Sequence, residues 1–518
     1  MTPFIEFRVW LRRGPVMERV LAAIATSIAV ALLAWALVPL DYNRSDDDSP
    51  SETALRAGAA GTTGGDTSGT LESTGAPDEE PDGSTDTQSE SADSTAGATS
   101  GASEPSSGTT DAAASDDPCA GRLTATDQGV TAKEVLVAVA IISLAGDVGN
   151  KTFGIREDLE AVAEAAAAGI NTDGGVACRK LVIKKFRVNP LDPNDTRAKC
   201  LDIAAAKPLA VIDFGGYIDP VSRACFVEHK LPFQSALAIS EVEGKSSYPY
   251  LYTASASEER QVRNWAFGAA ERGTFDPKNG FKKLGLFTYD CEEDSAGKEL
   301  IRSLHAVGLN DSQLSVFRQS CVTGGGTPNE LAQAMAQHRQ DGVSHVLLSL
   351  AQINAKSYVR NAGQIGWKPV WVAGDYGAIT NTTSQSDWND SFDGTVAITS
   401  DRSGEYNSGI KHKLVAPCQE WYRRAKVPPP DKDGDAGFGF CTFFTLFKTA
   451  ADAAGPNLTR VNLLPSLSRS GRLFESTSYS DIMWNRPGQF SGGDFVRPIQ
   501  WRLDCHCWKV IGDFKPAR

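Results

Sequence analysis

No cysteine occurs in the first 118 residues of this 518-residue chain; all ten lie between positions 119 and 507. None stands close behind the apolar span near the N-terminus, which argues against a bacterial lipoprotein anchor. Large apolar side chains are nearly missing from residues 42–118, a run of Ser, Thr, Gly, Ala, Asp and Glu. Such a segment cannot bury enough surface to offset the entropy of ordering it, and it reads as a disordered, self-repelling acidic tether. Basic residues are scarce there as well: residues 41–118 hold Arg44 and Arg56 against eighteen acids. The formal net charge of −13 therefore belongs to the tether, and residues 119–518 carry about +1. A near-neutral folded part argues against a nucleic-acid partner.

Catalytic signatures are missing too. The six histidines are scattered, no nucleophile elbow occurs, and Gly324-Gly325-Gly326 runs into Pro328 without the lysine of a phosphate loop. Cys505-His506-Cys507 has no second cluster to complete a zinc site, and Asp431, Asp433 and Asp435 lack the glycine and the terminal acid of a calcium loop. No cofactor and no metal is expected, and no enzyme.

What is present divides the chain into four parts. Residues 1–19 carry four arginines against two acids, and Val20–Leu40 is an apolar span broken only by Thr26, Ser27 and Pro39. Twenty-one residues at roughly 1.5 Å each cross about 30 Å of hydrocarbon. The basic residues precede the span, which places the N-terminus in the cytoplasm and the bulk of the chain outside. The expected localisation is the cell membrane, single-pass; a cleaved signal peptide, with Ala34-Trp35-Ala36 at the cut, would instead give a secreted protein. The tether follows over 41–118, and residues 119–518 are enough for two lobes.

The folded part opens with a readable unit. Val135–Ile142 is a continuous apolar run of strand length, as in a strand buried on both faces. Ala161–Ala168 has high helix propensity, Gly169 and Asn171 weaken the helix, and Gly174-Gly175 supplies a turn into a strand at Leu181. Strand, helix, turn and strand begin a doubly wound α/β domain with a ligand crevice at its strand ends. The same alternation continues from Leu209 to Gly216 and, further on, from Phe281 to Val372.

GVTAKEVLVAVAI from Gly129, AGINTDGGVACRKLVI from Ala168 and DPNDTRAKCLDIA from Asp192 resemble blocks of the type I periplasmic solute-binding proteins, the branched-chain amino-acid receptor group. The order of blocks is followed over most of Val130–Phe514. The resemblance implies an α/β fold of two Rossmann-like lobes joined by a hinge. Lobe 1 would span about 130–253 and 396–485, lobe 2 about 254–395 and 486–518, with crossings near Tyr248–Ser257 and Phe392–Thr399. It implies a receptor that traps a small polar or amphipathic solute and delivers it to an ABC permease. A membrane-tethered sensor or surface protein on the same fold is the alternative.

Carried over residue by residue, the family's ligand positions fall on Gly216, Tyr217, Ser235, Ala238, Ser240, Asp290, Asp375 and Tyr376. Asp375 stands where the family uses an acid for a ligand's ammonium group. The family's carboxylate-binding hydroxyl falls on Ile239, and its aromatic residue before Gly297 is Ala296. Both departures argue against an ordinary leucine-type ligand. The expected fold also implies disulfides joining Cys200 to Cys225, Cys291 to Cys321 and Cys418 to Cys441, leaving Cys119, Cys178, Cys505 and Cys507 open.

Overall fold

The computed structural model describes residues 123–144, 156–214, 220–291, 294–321, 326–380, 388–428 and 435–518. The expectations for residues 1–118, Cys119, Gly216, Tyr217, Asp431 and Asp433 lie outside them. Among the described residues, no helix is long and apolar enough to cross a membrane.

The first lobe is built on five parallel strands: β1 (Glu134–Ile142), β2 (Lys180–Val188), β3 (Ala210–Phe214), β4 (Phe233–Ser235) and β5 (Leu251–Thr253). They lie in the order β2-β1-β3-β4-β5. Helices α1 (Leu159–Thr172), α2 (Pro193–Ala205), α3 (Pro220–Glu228) and α4 (Glu241–Ser246) make the connections. The apolar run expected to be sandwiched is indeed enclosed, with Val135, Val137, Ala138, Val139 and Ala140 all fully buried.

Helix α1 does not weaken at Gly169, because that glycine is a packing site. A β-carbon there would come within 2.3 Å of the Trp421 ring, so only glycine admits the indole. The helix runs three residues further and ends in the expected turn, where Gly174 and Gly175 both have positive φ. Arg179, 2% exposed, staples the turn to the rest of the lobe. Its guanidinium donates to the carbonyls of Thr131, Ala177, Thr124 and Pro456 at 2.8–3.1 Å.

The second lobe repeats the plan with β6 (Leu284–Tyr289), β7 (Leu314–Gln319), β8 (His345–Leu347), β9 (Val370–Gly374) and β10 (Val396–Thr399). Its helices are α5 (Glu258–Glu271), α6 (Ser295–Ala306), α7 (Pro328–Gln340) and α8 (Gln352–Gln364). The parallel order is β7-β6-β8-β9-β10, the same winding as the first lobe. Thr327 and Glu330 close a reciprocal capping box at the start of α7. Strand β10 belongs to this sheet, paired in parallel with β9. The chain therefore crosses back only after Thr399, a few residues beyond the expected boundary.

It then returns to the first lobe as α9 (Val415–Arg424), α10 (Asp435–Ala454) and α11 (Leu463–Arg469), with a small antiparallel pair, β11 (Arg472–Phe474) and β12 (Ile482–Trp484). Trp421, Phe444, Phe447, Leu464, Trp484 and Phe490 all join the first core. The lobe boundary thus follows Phe490 rather than residue 485. The final strands β13 (Phe495–Arg502), β14 (Cys507–Val510) and β15 (Lys515–Pro516) pair antiparallel at the edge of the second sheet.

Disulfides join Cys200 to Cys225, Cys291 to Cys321 and Cys418 to Cys441, with Cα separations of 6.4, 5.9 and 6.0 Å. Cys505 bonds to Cys507 across the β13–β14 turn. Both sulfurs of that Cys-His-Cys sequence are therefore committed to each other, and neither is a thiolate for zinc.

Candidate ligand cleft at the hinge

Both sheets wind in the order 2-1-3-4-5, a topology whose crevice lies beyond the C-terminal strand ends. Three chain crossings join the lobes at those ends. The first, from Thr253 to Ser257, runs beside the third, from Phe490 to Asp494. Thr253 N–H donates to Phe490 O and Gly492 N–H to Ser255 O, both at 2.8 Å. Gly492 is required by this approach: a β-carbon there would sit 2.1 Å from Ala254 O. Arg260, one turn into α5, clasps the third crossing through Gly492 O, Gly493 O and the Asp494 carboxylate. The second crossing leaves β10 at Thr399. Ser400 O accepts from Ser480 N–H at 2.7 Å, and Arg402 N–H donates to Ser478 O at 2.8 Å.

Asp375 sits at this second crossing, and its part differs from the expected one. Its carboxylate is 8% exposed. One oxygen accepts from the Thr380 and Thr399 hydroxyls at 2.7 and 2.5 Å, the other from Ser400 N–H and Oγ at 2.6 and 2.8 Å. A carboxylate offers about four lone-pair sites, and protein donors fill them. Burial raises its pKa despite those donors. Asp375 pins β9 to the hinge and leaves no acceptor for a ligand's ammonium group.

Two acids, Glu258 and Glu259, stand at the start of α5. Ser257 caps that helix through Arg260 N–H. Glu258, the next residue, is half-buried, and burial pushes its carboxyl up to about 7; Arg223 opposes the rise, while Glu259, Glu243 and Asp294 add to it. Tyr376 follows Asp375 at the end of β9. Burial holds its phenol well above the ordinary range, with further contributions from Glu258, Tyr289, Asp294 and Glu259. Tyr289, the last residue of β6, is pushed up to about 12 by burial and by Glu258 and Asp294. Glu258 and Asp294 thus both raise the pKa of the Tyr289 and Tyr376 phenols.

Asp294 and Glu259 make the hydrogen bonds that surround these residues. Asp294 caps α6 through Gly297 N–H at 2.7 Å and accepts from Tyr289 N–H at 2.8 Å. Any side chain at 297 would collide with the cap, since its β-carbon would lie 2.1 Å from an Asp294 oxygen. Glu259 ties the lobes together, accepting from Ser295 Oγ in the second lobe at 2.5 Å and from Glu241 N–H in the first at 2.7 Å. Arg223 pairs with Glu243 at 2.7 Å on the first-lobe side.

The remaining first-lobe positions contribute backbone more than side chains. Ser235, 1% exposed at the end of β4, accepts from Leu237 N–H, and Ser240 caps α4 through Glu243 N–H. Ala238 is half-buried between them, and Ile239 is fully buried. Asp213 accepts from Ala236 N–H at 3.3 Å, and Ala236 O accepts from the Tyr479 hydroxyl at 3.1 Å. Asp290 lies exposed beyond β6 with its N–H on Gln319 O, and Asp294 is the acid of that loop which reaches the tyrosines. Of the expected ligand residues, Tyr376 joins the cluster. Sequence reasoning missed Glu258, Tyr289 and Tyr479; the signal for Glu258 was its place at the first turn of the helix entered by the first crossing. Among the described residues, no group of three or more His, Cys, Asp or Glu is arranged to hold a metal ion.

Two like-wound lobes, three crossings and a strand-end crevice define the fold of the type I periplasmic binding proteins. Solved structures share it at low sequence identity. A possible leucine/isoleucine/valine-binding protein from Rhodopirellula baltica SH 1 matches at a TM-score of 0.56 and 14% identity, covering 73% of this chain and 96% of that one. A solute-binding protein of an ABC transporter from Rhodopseudomonas palustris BisB5, in complex with 3,4-dihydroxybenzoic acid, matches at 0.55 and 14%, covering 74% and 98%. A fatty acid ABC transporter substrate-binding protein from Thermomonospora curvata matches at 0.54 and 14%, covering 76% and 95%. No protein-family model matches the chain, and no curated protein is significantly similar to it.

Proposed function

We propose that this protein is an extracytoplasmic solute receptor that closes its two lobes over a small polar or amphipathic molecule, amino-acid-like or related, and delivers it to an ABC permease. In this reading residues 20–40 hold the protein at the membrane and residues 41–118 tether the receptor at a distance. The observation that carries the reading is the pair of like-wound lobes joined by three crossings, with Glu259 bridging them through Ser295 Oγ and Glu241 N–H. In this reading Glu258, at the start of α5, receives a hydrogen-bond donor or a cationic group of the solute. The ligands named for the similar folds range from amino acids to an aromatic acid and fatty acids, which supports a small solute without choosing one.

One observation argues against an ordinary leucine-type solute. Ile239, fully buried, occupies the position where the resembled family places its carboxylate-binding hydroxyl. A thermal-shift screen of the oxidised full-length protein against amino acids, amides, aromatic acids, short-chain acids and sugars tests the solute-binding function. A ligand at 100 times its dissociation constant adds about 2.7 kcal/mol of stability. A library without a single stabiliser would shift the balance to a non-transport surface role.

A further inference from the structure

Among the disulfides of the described residues, Cys505–Cys507 is built unlike the rest. Cys200–Cys225 and Cys418–Cys441 are enclosed, with none of their cysteines more than 2% exposed. Cys291–Cys321 ties the loops beyond β6 and β7 across 30 positions. Cys505–Cys507 spans one residue, His506, in the turn between β13 and β14. A bond that closes so short a loop restricts the unfolded chain least, so the fold protects it least against reduction. Because β13 runs antiparallel to β10, this turn lies at the end of the sheet away from the crevice.

The two sulfurs are placed differently. Cys505 is exposed, whereas Cys507, the first residue of β14, is 2% exposed. A dissolved thiol therefore meets Cys505, and Cys507 is the leaving group. Across the hairpin Cys507 stands opposite Arg502, and Gln500 opposite Lys509. Opposite residues share a face with β-carbons about 4.5–5.5 Å apart, as do residues two apart on one strand. Arg502 and Lys509 thus flank Cys507 on one face of the hairpin. Cations beside a sulfur favour its thiolate and speed its departure. Asp504, 69% exposed and 4.0 Å from Arg502, offsets little of that charge. His506 is held at φ 48°, a left-handed conformation costly for a residue with a β-carbon, and opening the bond lets the turn relax. The hairpin does not depend on the bond. Trp501 and Trp508, paired on its other face, are fully buried and pack edge to face at 5.5 Å.

We propose that Cys505–Cys507 is a thiol–disulfide exchange site, at which the protein oxidises small or peptide dithiols outside the cytoplasm. One substrate thiolate attacks Cys505 Sγ. A bond forms between substrate and Cys505 as the Cys505–Cys507 bond breaks, and the electron pair leaves on Cys507 Sγ. The substrate's second thiolate then attacks its own sulfur in this mixed disulfide and releases Cys505. The substrate gives up two electrons and two protons and becomes a disulfide; the cysteine pair takes them and becomes two thiols. The site stands independently of the solute reading, because none of its residues belongs to the hinge cleft.

Reduced glutathione is the first probe. The oxidised full-length protein is treated with it, quenched with iodoacetamide and mapped by peptide mass spectrometry. The expected result is a glutathione adduct on Cys505 with Cys507 alkylated, formed at least tenfold faster than opening of Cys291–Cys321, while the two enclosed bonds stay intact. In the Arg502→Gln, Lys509→Gln double variant the rate is expected to fall threefold or more. With a reduced peptide dithiol, the parent should oxidise one equivalent, and the Cys505→Ser, Cys507→Ser double variant none. The proposal is overturned if Cys505–Cys507 opens no faster than Cys291–Cys321, if the adduct falls on Cys507, or if the serine variant oxidises the dithiol equally well. A large drop in thermal transition on opening this bond alone would also overturn it, since the disulfide would then be a structural staple. The glutathione comparison is made within the parent protein and holds whether or not the serine variant folds.

Discussion

The Asp375 carboxylate grips Ser400 twice, through its backbone N–H at 2.6 Å and its hydroxyl at 2.8 Å. With Thr399 and Thr380 on the other oxygen, the end of β9 is fastened to the point where the chain leaves the second lobe. Asp375→Ala strips four donors of their acceptor, and a loss of about 3 kcal/mol is expected in urea unfolding. Solute affinity in the folded variant is expected to change far less than in Glu258 variants. An intact transition with abolished binding would return Asp375 to direct ligand contact.

Gly169→Ala is a second discriminating change. In an exposed helix this substitution stabilises by about 1 kcal/mol. Here the new methyl meets the Trp421 ring, so a loss of about 1–3 kcal/mol is expected. Truncating the indole in the background of Gly169→Ala should recover part of that loss, which a double-mutant cycle would read.

His338 predicts how stability falls in mild acid. The ring is fully buried and bonded to the Tyr358 hydroxyl at 2.8 Å, and burial lowers its pKa to about 4. With the folded value below the unfolded one, protonation favours unfolding. Its contribution is therefore complete above pH 6.5 and disappears as the pH falls towards 4, a change of about 3 kcal/mol. His338→Phe should flatten unfolding free energy across that window.

Glu258 acts in the opposite sense. Its folded pKa lies above the unfolded one, so its contribution is present below about pH 4.5 and is lost as the pH rises through about 7. Glu258→Gln should remove that slope. Of the charges that act on it, Glu259, Glu243 and Asp294 raise its pKa and only Arg223 favours its ionised form. A cationic solute is therefore expected to bind more tightly as the pH passes from 6 to 8, by up to tenfold, and calorimetric titration of Glu258→Gln should show no such rise.

The order of strands and helices was legible because each lobe alternates buried apolar runs with amphipathic ones, and Gly174-Gly175 marked its turn. The boundary at Thr399 was not, because a strand that ends one lobe and a strand that begins the next have the same apolar pattern. Gly169 was misread for a tertiary reason: its partner, Trp421, lies 252 positions away. The site was harder still. Asp375 has the residue type a ligand contact needs, but only the fold reveals that Thr380, Thr399 and Ser400 already fill its oxygens. Glu258, one acid among two in a helix's first turn, acquires its character from burial and from Arg223, Glu243 and Asp294, which arrive from other elements.

The central claim is that the lobes close over a solute, and the distance between them tests it most directly. Val242 on α4 and Ile353 on α8 are 68% and 54% exposed, in the first and second lobes. No free cysteine competes among the described residues, so both positions can take spin labels as introduced cysteines. With a stabilising solute from the thermal screen, the account predicts a shorter and narrower distance distribution by pulsed electron resonance, and no change in Glu258→Gln at the same solute concentration. A solute that stabilises the protein while leaving the inter-lobe distance unaltered would contradict it.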